Sequence, residues 1–310
     1  MLSVSAEVRQ ALDAGRPVVA LESTLITHGF ARPRNLEVAR QAERRIRDEG
    51  AVPATVAIRD GCIAVGLADD ELGALAEARA GKATRHNVAA ALVGGGWWGT
   101  TVAATMLASH AGGIRVFATG GIGGVHRPSS AHGTNGVSAW DVSADLDELA
   151  RTPLAVVCAG PKAILDVPAT VEYLETRGVP VVTIGSERVP GFWSQDSGVA
   201  APISASDEAH AARIVETHWR LGLESGVLVC VPIPDADALP AEESRTAIEQ
   251  ATRDADAEGI RGAELTPWLL GRIAELTGGR SVEANAALIA NNAAVAARLA
   301  RRLGAAGDPS

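Results

Sequence analysis

The stretch Leu154-Ala155-Val156-Val157-Cys158-Ala159-Gly160-Pro161-Lys162 decides how the rest of the chain is read. Leu154–Cys158 is apolar throughout and has no polar face, as a strand has when its sheet is covered on both sides. Gly160-Pro161 ends the strand, and the pattern beyond it predicts a helix over Pro161–Arg177 with Lys162 in the first turn. That lysine is unusual, because the chain holds two lysines, Lys82 and Lys162, against twenty-six arginines. A guanidinium stays protonated, whereas a desolvated ammonium can become a nucleophilic amine. The field at a helix N-terminus, together with apolar neighbours, lowers an ammonium pKa and frees the amine for Schiff-base chemistry on a carbonyl.

The pattern repeats outward in both directions. Strands are predicted at Pro17–Leu21, Ala54–Arg59 with Cys62–Val65, Arg115–Ala118, Leu154–Cys158, Val179–Ile184 and Gly226–Pro232. Amphipathic helices are predicted at Val4–Ala14, Pro33–Glu49, Asp69–Arg79, Thr101–His110, Ser143–Ala150, Pro161–Arg177, Ala205–Leu221, Pro240–Glu258, Pro267–Leu276 and Val282–Leu303. Such alternation makes an α/β protein, a three-layer α/β/α sandwich with the sheet between two helical layers. No repeat or clear linker interrupts it. Glu224–Ser244 reads as a crossover rather than a cut, so residues 1–310 are taken as one domain, with Gly304–Ser310 expected to fray.

A hydrophobic content of 47% with few aromatics implies a core of Ala, Val, Leu and Ile. The net charge of −9 argues against a nucleic-acid surface but allows a local pocket for a small anion. Cys62, Cys158 and Cys230 are far apart in apolar runs, as reduced cysteines of a cytoplasmic protein would be. The first residues lack the apolar core of a signal peptide, and no run is long enough to span a membrane.

Five further segments carry candidate chemistry. Glu22, in Leu21-Glu22-Ser23-Thr24, follows a strand directly, where ligands bind in open α/β sheets, and is a candidate acid or base; a cap or loop ion pair is the plainer alternative. Gly94–Val102 brings glycines into a helix capped by Thr101, which could form an anion site or an ordinary turn. Gly120-Gly121-Ile122-Gly123-Gly124-Val125-His126 lacks the sixth-position glycine and following helix of a dinucleotide fingerprint, and reads as a loop letting backbone approach a ligand. Asp141 and Asp145 flank the candidate cap Ser143, and one carboxylate plus waters suits Mg²⁺ or Mn²⁺; capping alone would account for Ser143. Gly278-Gly279-Arg280-Ser281-Val282-Glu283-Ala284-Asn285 opens the last helix, with Ser281 and Glu283 as capping residues and Asn285 able to present an amide to a heterocycle or simply lie on a polar face.

Taken together, these segments resemble the pseudouridine-5′-phosphate glycosidase family, also called indigoidine-synthase-A-like. The resemblance rests on ALESTLITHG, PATVAI, GTTVAATM, FATGGIGGVHR, DVSADL, CAGPKAILD, PGFW and SVEANAALIANN, in order over nearly the whole chain. It implies a trimer that uses a Mn²⁺-like ion and makes or breaks the C–C bond between ribose 5-phosphate and uracil. It also assigns roles. Glu22 becomes the proton donor, Lys162 the Schiff-base nucleophile and Asp141 the metal ligand. Ser143, Ala144 and Asp145 become substrate contacts, as do Lys82, Thr101 and Val102 near the phosphate, while His126 and Asn285 lie near the base. A C–C glycosidic bond lacks a good leaving heteroatom, so two-carboxylate hydrolysis does not suit it. With the ribose ring opened and an amine on C1′, cleavage becomes a retro-Mannich step, and water then releases ribose 5-phosphate.

The chain departs from the family pattern at three places. Lys82-Ala83-Thr84-Arg85-His86-Asn87 replaces a usual Arg-Asp pair, a longer loop runs over Pro128–Ala139, and Trp140 adjoins Asp141. These departures cluster where the aglycone would lie, so ribose 5-phosphate is the firmer half of the substrate. Attachment of ribose 5-phosphate to a large aromatic polyketide is the alternative activity.

Overall fold

The computed structural model describes residues 1–127, 141–260 and 265–305. The strands are β1 (Leu2–Val4), β2 (Val18–Leu21), β3 (Val52–Arg59), β4 (Cys62–Val65), β5 (Gly81–Ala83), β6 (Trp97–Thr100), β7 (Val116–Ala118), β8 (Val125–His126), β9 (Ala155–Cys158), β10 (Leu165–Asp166), β11 (Val181–Ile184), β12 (Ile203–Ala205) and β13 (Val227–Cys230). The helices are α1 (Ala6–Asp13), α2 (Arg34–Asp48), α3 (Asp69–Glu77), α4 (Val88–Gly94), α5 (Val102–Ala111), α6 (Ala144–Leu149), α7 (Val167–Thr176), α8 (Glu208–Arg220), α9 (Ala241–Glu258), α10 (Leu265–Leu276) and α11 (Arg280–Ala305).

Eleven strands form one sheet whose main path runs β1-β4-β3-β2-β7-β9-β13-β11-β12, with β6 and then β5 attached beside β3. From β3 to β12 every neighbour is parallel, whereas β4 and β6 run antiparallel to β3. Side-chain alternation divides the core. Val19, Leu21, Val157 and Val229 pack with α2, α8, α9 and α11 on one face. Val18, Ala20, Val156 and Leu228 pack with α1, α5, α6 and α7 on the other. This is the α/β/α sandwich expected from the doubly buried runs.

The strand order places the site. From β2 the chain crosses to β3 on one side, and from β7 it crosses to β9 on the other. The point between β2 and β7 is therefore a switch point, where strand ends open a crevice. Leu21 pairs with Ala118, and Ala118 with Val157, so Glu22, Thr119 and the segment after Cys158 emerge side by side.

The six strand expectations hold to within a few residues, but the helix expected from Pro161 does not. The helix begins at Val167, capped by the Asp166 carboxylate, which accepts from the Ala169 N–H at 3.0 Å. Residues 161–166 instead pair with the glycine loop: Lys162 N–H donates to Ile122 O at 3.1 Å, and β10 runs antiparallel to β8. Pro168 suits a first turn, and the apolar residues before it are used up in that pairing. The N-terminal helix likewise starts at Ala6, because Leu2–Val4 pairs with β4. The glycines at 94–96 lead first into β6 and only then into α5. At the start of α11, Thr277 rather than Ser281 acts as the cap, its hydroxyl accepting from the Ser281 N–H at 3.2 Å.

Candidate active site

Glu22 follows β2 directly and is separated by Ser23 and Thr24 from a π-helical turn, Leu25–Gly29. The residue is 8% exposed, and the Thr119 hydroxyl donates to its Oε1. Burial pushes the carboxyl pKa up; the positive charge of Lys162 and the Thr119 hydrogen bond oppose this, and Asp145 reinforces it. A carboxyl so placed retains its proton to higher pH, as a proton donor must.

Lys82 arrives from β5 and Lys162 from the turn after β9. Desolvation lowers the Lys82 ammonium pKa, and the neighbouring Lys162 charge lowers it further, against the carboxylates of Glu22 and Asp145. Glu22, Lys82, Lys162, Thr24 and Thr266 line both lobes of one cleft. No helix begins at Lys162, so no helix dipole acts on its amine, but the residue converges with Glu22 and Lys82.

One lobe, a cavity of about 240 Å³, is polar, with Thr84, Thr101, Val102, His126, Ser143, Ala144 and Asp145 on its wall. The other, about 100 Å³, is lined by Leu25, Phe30, Phe192, Leu270, Ile289 and the amide-bearing Asn285. All the substrate-contact candidates thus face the cleft. Asp145 is buried, and its two oxygens accept from Ala103 N–H at 3.0 Å and Gly123 N–H at 2.8 Å. The start of α5, readable as an anion site or as an ordinary Thr-capped turn, is partly filled from within: Asp145 takes the Ala103 amide, and the Thr101 hydroxyl takes that of Ala104 at 3.5 Å, as a cap. The glycine loop approaches protein in the same way. A Cβ on Gly121 would meet Phe192 Cε2 at 2.6 Å, and one on Gly123 would strike the Ser143 hydroxyl.

Asp141 stands apart. Its side chain is 61% exposed, lies 3.9 Å from His126 Nδ1 and lines neither lobe. No group of three or more His, Cys, Asp or Glu able to hold a metal occurs among the described residues. One exposed carboxylate beside one imidazole fits only a hard ion that keeps most of its water shell. The Pro128–Ala139 loop and Trp140 lie outside the described residues. Cys158 and Cys230 are buried and Cys62 half-buried, all three unoxidised. No helix among the described residues is long and apolar enough to cross a membrane.

Thr24, Thr119, Phe192 and Thr266 were not singled out from the sequence. Thr119 had a signal, since it follows the apolar run Val116–Ala118 as Glu22 follows Val18–Leu21. Thr266 had none.

A mostly parallel sheet with an acid, two lysines and a two-lobed cleft at its switch point defines an α/β enzyme fold of one family. The chain belongs to the indigoidine synthase A-like family, whose pattern, described as "Indigoidine synthase A like protein", matches residues 7–302. Among its relatives, the pseudouridine-5′-phosphate glycosidase of Solibacter usitatus is 51% identical over 97% of this chain and 99% of its own. The enzyme of that name from Methylobacterium nodulans is 52% identical over 97% of this chain and 87% of its own. Of solved structures, the prealnumycin C-glycosynthase AlnA in complex with ribulose 5-phosphate superposes with a TM-score of 0.89 at 37% identity, covering 98% of this chain and 97% of its own. An indigoidine synthase A-like protein of Thermotoga maritima gives 0.86 at 32% identity, with the same coverage.

Proposed function

We propose that this protein is a pseudouridine-5′-phosphate glycosidase that cleaves, and in reverse forms, the C–C bond between ribose 5-phosphate and uracil through an imine on Lys162. The observation that carries this reading is the meeting of a buried carboxyl of raised pKa, Glu22, with Lys82 and Lys162 where the polar and apolar lobes join. Its support from relatives is the 51% identity to an enzyme of that name.

The sugar phosphate occupies the polar lobe, and the base lies in the apolar lobe against Asn285. Glu22 gives its proton to the ribose ring oxygen as the C1′–O4′ bond breaks, and the Lys162 amine bonds to C1′, releasing a proton. The nitrogen lone pair then forms the C1′=N iminium while the C1′–C5 bond breaks. Its electrons pass into the uracil ring, which takes a proton at C5. Water adds to the iminium, the C–N bond breaks, and ribose 5-phosphate leaves with Lys162 restored. A divalent ion, Mn²⁺ or Mg²⁺, would be held by Asp141 beside His126, mostly through water, and would supply positive charge to offset that of the phosphate. The cytoplasm is the compartment that reduced cysteines suit, and a homotrimer is proposed on the family resemblance alone.

Borohydride reduction in the presence of ribose 5-phosphate should fix the sugar on the peptide carrying Lys162. Label on another residue, or none, refutes the mechanism.

A second reading, attachment of ribose 5-phosphate to a larger aromatic aglycone, has one observation behind it. Past His28, Phe30 and Leu270 the apolar lobe continues into an outer groove of about 430 Å³. A panel of pseudouridine 5′-phosphate against bulky phenolic acceptors with ribose 5-phosphate separates the two readings.

A further inference from the structure

Without a helix beneath it, the nucleophile needs another support. Lys162 lies in a short turn between Gly160 and β10. Its own backbone bonds are two: its N–H to Ile122 O at 3.1 Å, and its carbonyl to the Leu165 N–H at 2.9 Å. A turn of this kind has little internal rigidity. The Arg127 guanidinium closes over it from outside, Nε donating to Leu165 O at 3.1 Å and Nη2 to Ala163 O at 3.3 Å. One planar fork thus grips two carbonyls within three residues of the nucleophile.

Arg127 follows β8 directly, and β8 pairs with β10, so side chain and ladder hold the same turn. The same segment also braces the polar lobe, where Gly123, four residues earlier, donates its N–H to Asp145. Residues 121–127 therefore connect the wall that would hold the sugar to the turn that carries the amine. Arg127 itself lines neither lobe.

We propose that Arg127 is the positioning residue of Lys162, its guanidinium fixing the 162–165 turn so that the amine meets C1′ of the sugar. This rests on the reading of Lys162 as nucleophile. The role depends on the shape of the donor. A guanidinium offers parallel N–H groups in a fixed fork, whereas an ammonium is a point donor on a flexible stem and cannot span both carbonyls in one geometry. The effect reaches the chemistry by displacement alone, and a misplacement of about 1 Å is worth about 100-fold in rate.

The test uses the full-length protein with Arg127→Ala, Arg127→Lys and Lys162→Ala. The readings are kcat and KM for pseudouridine 5′-phosphate and the rate of borohydride-trappable adduct from ribose 5-phosphate. Arg127→Ala should slow adduct formation and kcat together by about 100-fold, with KM nearly unchanged. Arg127 is exposed at the surface, so millimolar guanidinium ion should restore part of that rate, while Lys162→Ala stays silent with or without it. Arg127→Lys, which keeps charge and stem and so serves if the alanine variant does not fold, should remain slow at an unchanged melting temperature. A rise in KM at constant kcat makes Arg127 a substrate contact and overturns the proposal, as does a full rate in Arg127→Lys. Adduct persisting in Lys162→Ala overturns the nucleophile assignment itself, an outcome separate from any result at position 127.

Discussion

The two lobes of the cleft are built in different ways. The wall of the polar lobe carries the short hydroxyls of Thr24, Thr84, Thr101, Ser143 and Thr266 and is drawn together by one buried carboxylate, Asp145, that binds amides of α5 and of the glycine loop. The wall of the apolar lobe is side chains delivered from separate elements: Leu25 from the π-helical turn, Phe192 from a loop, Leu270 from α10, Ile289 from α11. A wall braced by buried amide–carboxylate hydrogen bonds is costly to alter, since each buried amide needs its partner. A side-chain wall can change shape residue by residue. On the proposed function, the sugar-phosphate half is therefore the fixed part of this site and the aglycone half the adjustable part, with Glu22, Lys82 and Lys162 at the seam serving both.

The strongest challenge to that division is a change at the seam, which should silence both halves. Lys162→Arg keeps the charge but cannot form an imine, and kcat should fall by ~10⁴-fold or more. Appreciable turnover by this variant would mean that the seam is not where bonds are made.

Glu22→Gln comes next. Loss of a proton donor is worth about 10²–10⁴-fold in kcat, with binding of ribose 5-phosphate retained. Its pH signature has a definite sign. Burial raises the Glu22 pKa, so the protonated form favours the folded state, and this contribution is present at low pH and lost as pH rises through the raised value. Activity of the parent should accordingly decline on the alkaline side as the donor ionises. Thermal melts should show Glu22→Gln gaining on the parent as pH increases. A gap in melting temperature that is constant with pH would contradict the buried, raised carboxyl.

Asp145→Asn addresses the polar lobe, and also removes a charge that acts on Glu22 and Lys82. One oxygen becomes an NH₂ facing an amide donor, leaving a buried N–H unsatisfied at about 1–3 kcal/mol. The melting temperature should drop, and KM for the sugar phosphate should rise more than kcat falls. An unchanged melting temperature would show that the lobe does not depend on this carboxylate.

The same contrast determines what could be read in advance. Of the polar lobe, the residues themselves marked Thr101 and Ser143 as capped helix starts, whereas Lys82, Val102, His126, Ala144 and Asp145 as substrate contacts rest on the family resemblance. Glu22 was legible because a strand end in an α/β sheet announces itself. The apolar lobe was not, because Phe30 and Leu270 lie in no motif, and Phe192 and Ile289 lie in two separate ones, PGFW and SVEANAALIANN, that meet only in the folded chain. The helix misplaced under Lys162 has a related cause. Periodicity over 161–166 is satisfied equally by a helix face and by pairing with a distant segment, and only the tertiary partner at 122–126 decides between them. β5 and β6 are absent from the expected strands because Gly81-Lys82-Ala83 and Trp97-Trp98-Gly99-Thr100 lack the unbroken apolar runs that mark equally short strands such as β7 and β9.

The smallest expected effect lies in the apolar lobe, at Phe192. This residue has φ of +66°, a backbone state that is a genuine outlier for a bulky side chain. It persists because the ring is held on both sides. Trp193 meets it edge-on with centroids 5.2 Å apart, and Gly121 leaves room that any Cβ would fill. Strain of this kind collects where a side chain must be presented to a ligand, and here the ring faces the space assigned to the base. Phe192→Leu keeps apolar bulk but removes the flat face, a loss of about 1 kcal/mol, or roughly fivefold, in stacking on a ring. Pseudouridine 5′-phosphate should therefore show a roughly fivefold rise in KM, while borohydride trapping with ribose 5-phosphate alone proceeds at the parental rate. The two measurements must diverge if the lobes are independent. If Phe192→Leu slows trapping as much as it weakens the base, the ring is part of the seam, and the line between a fixed and an adjustable half has to be redrawn through Gly121.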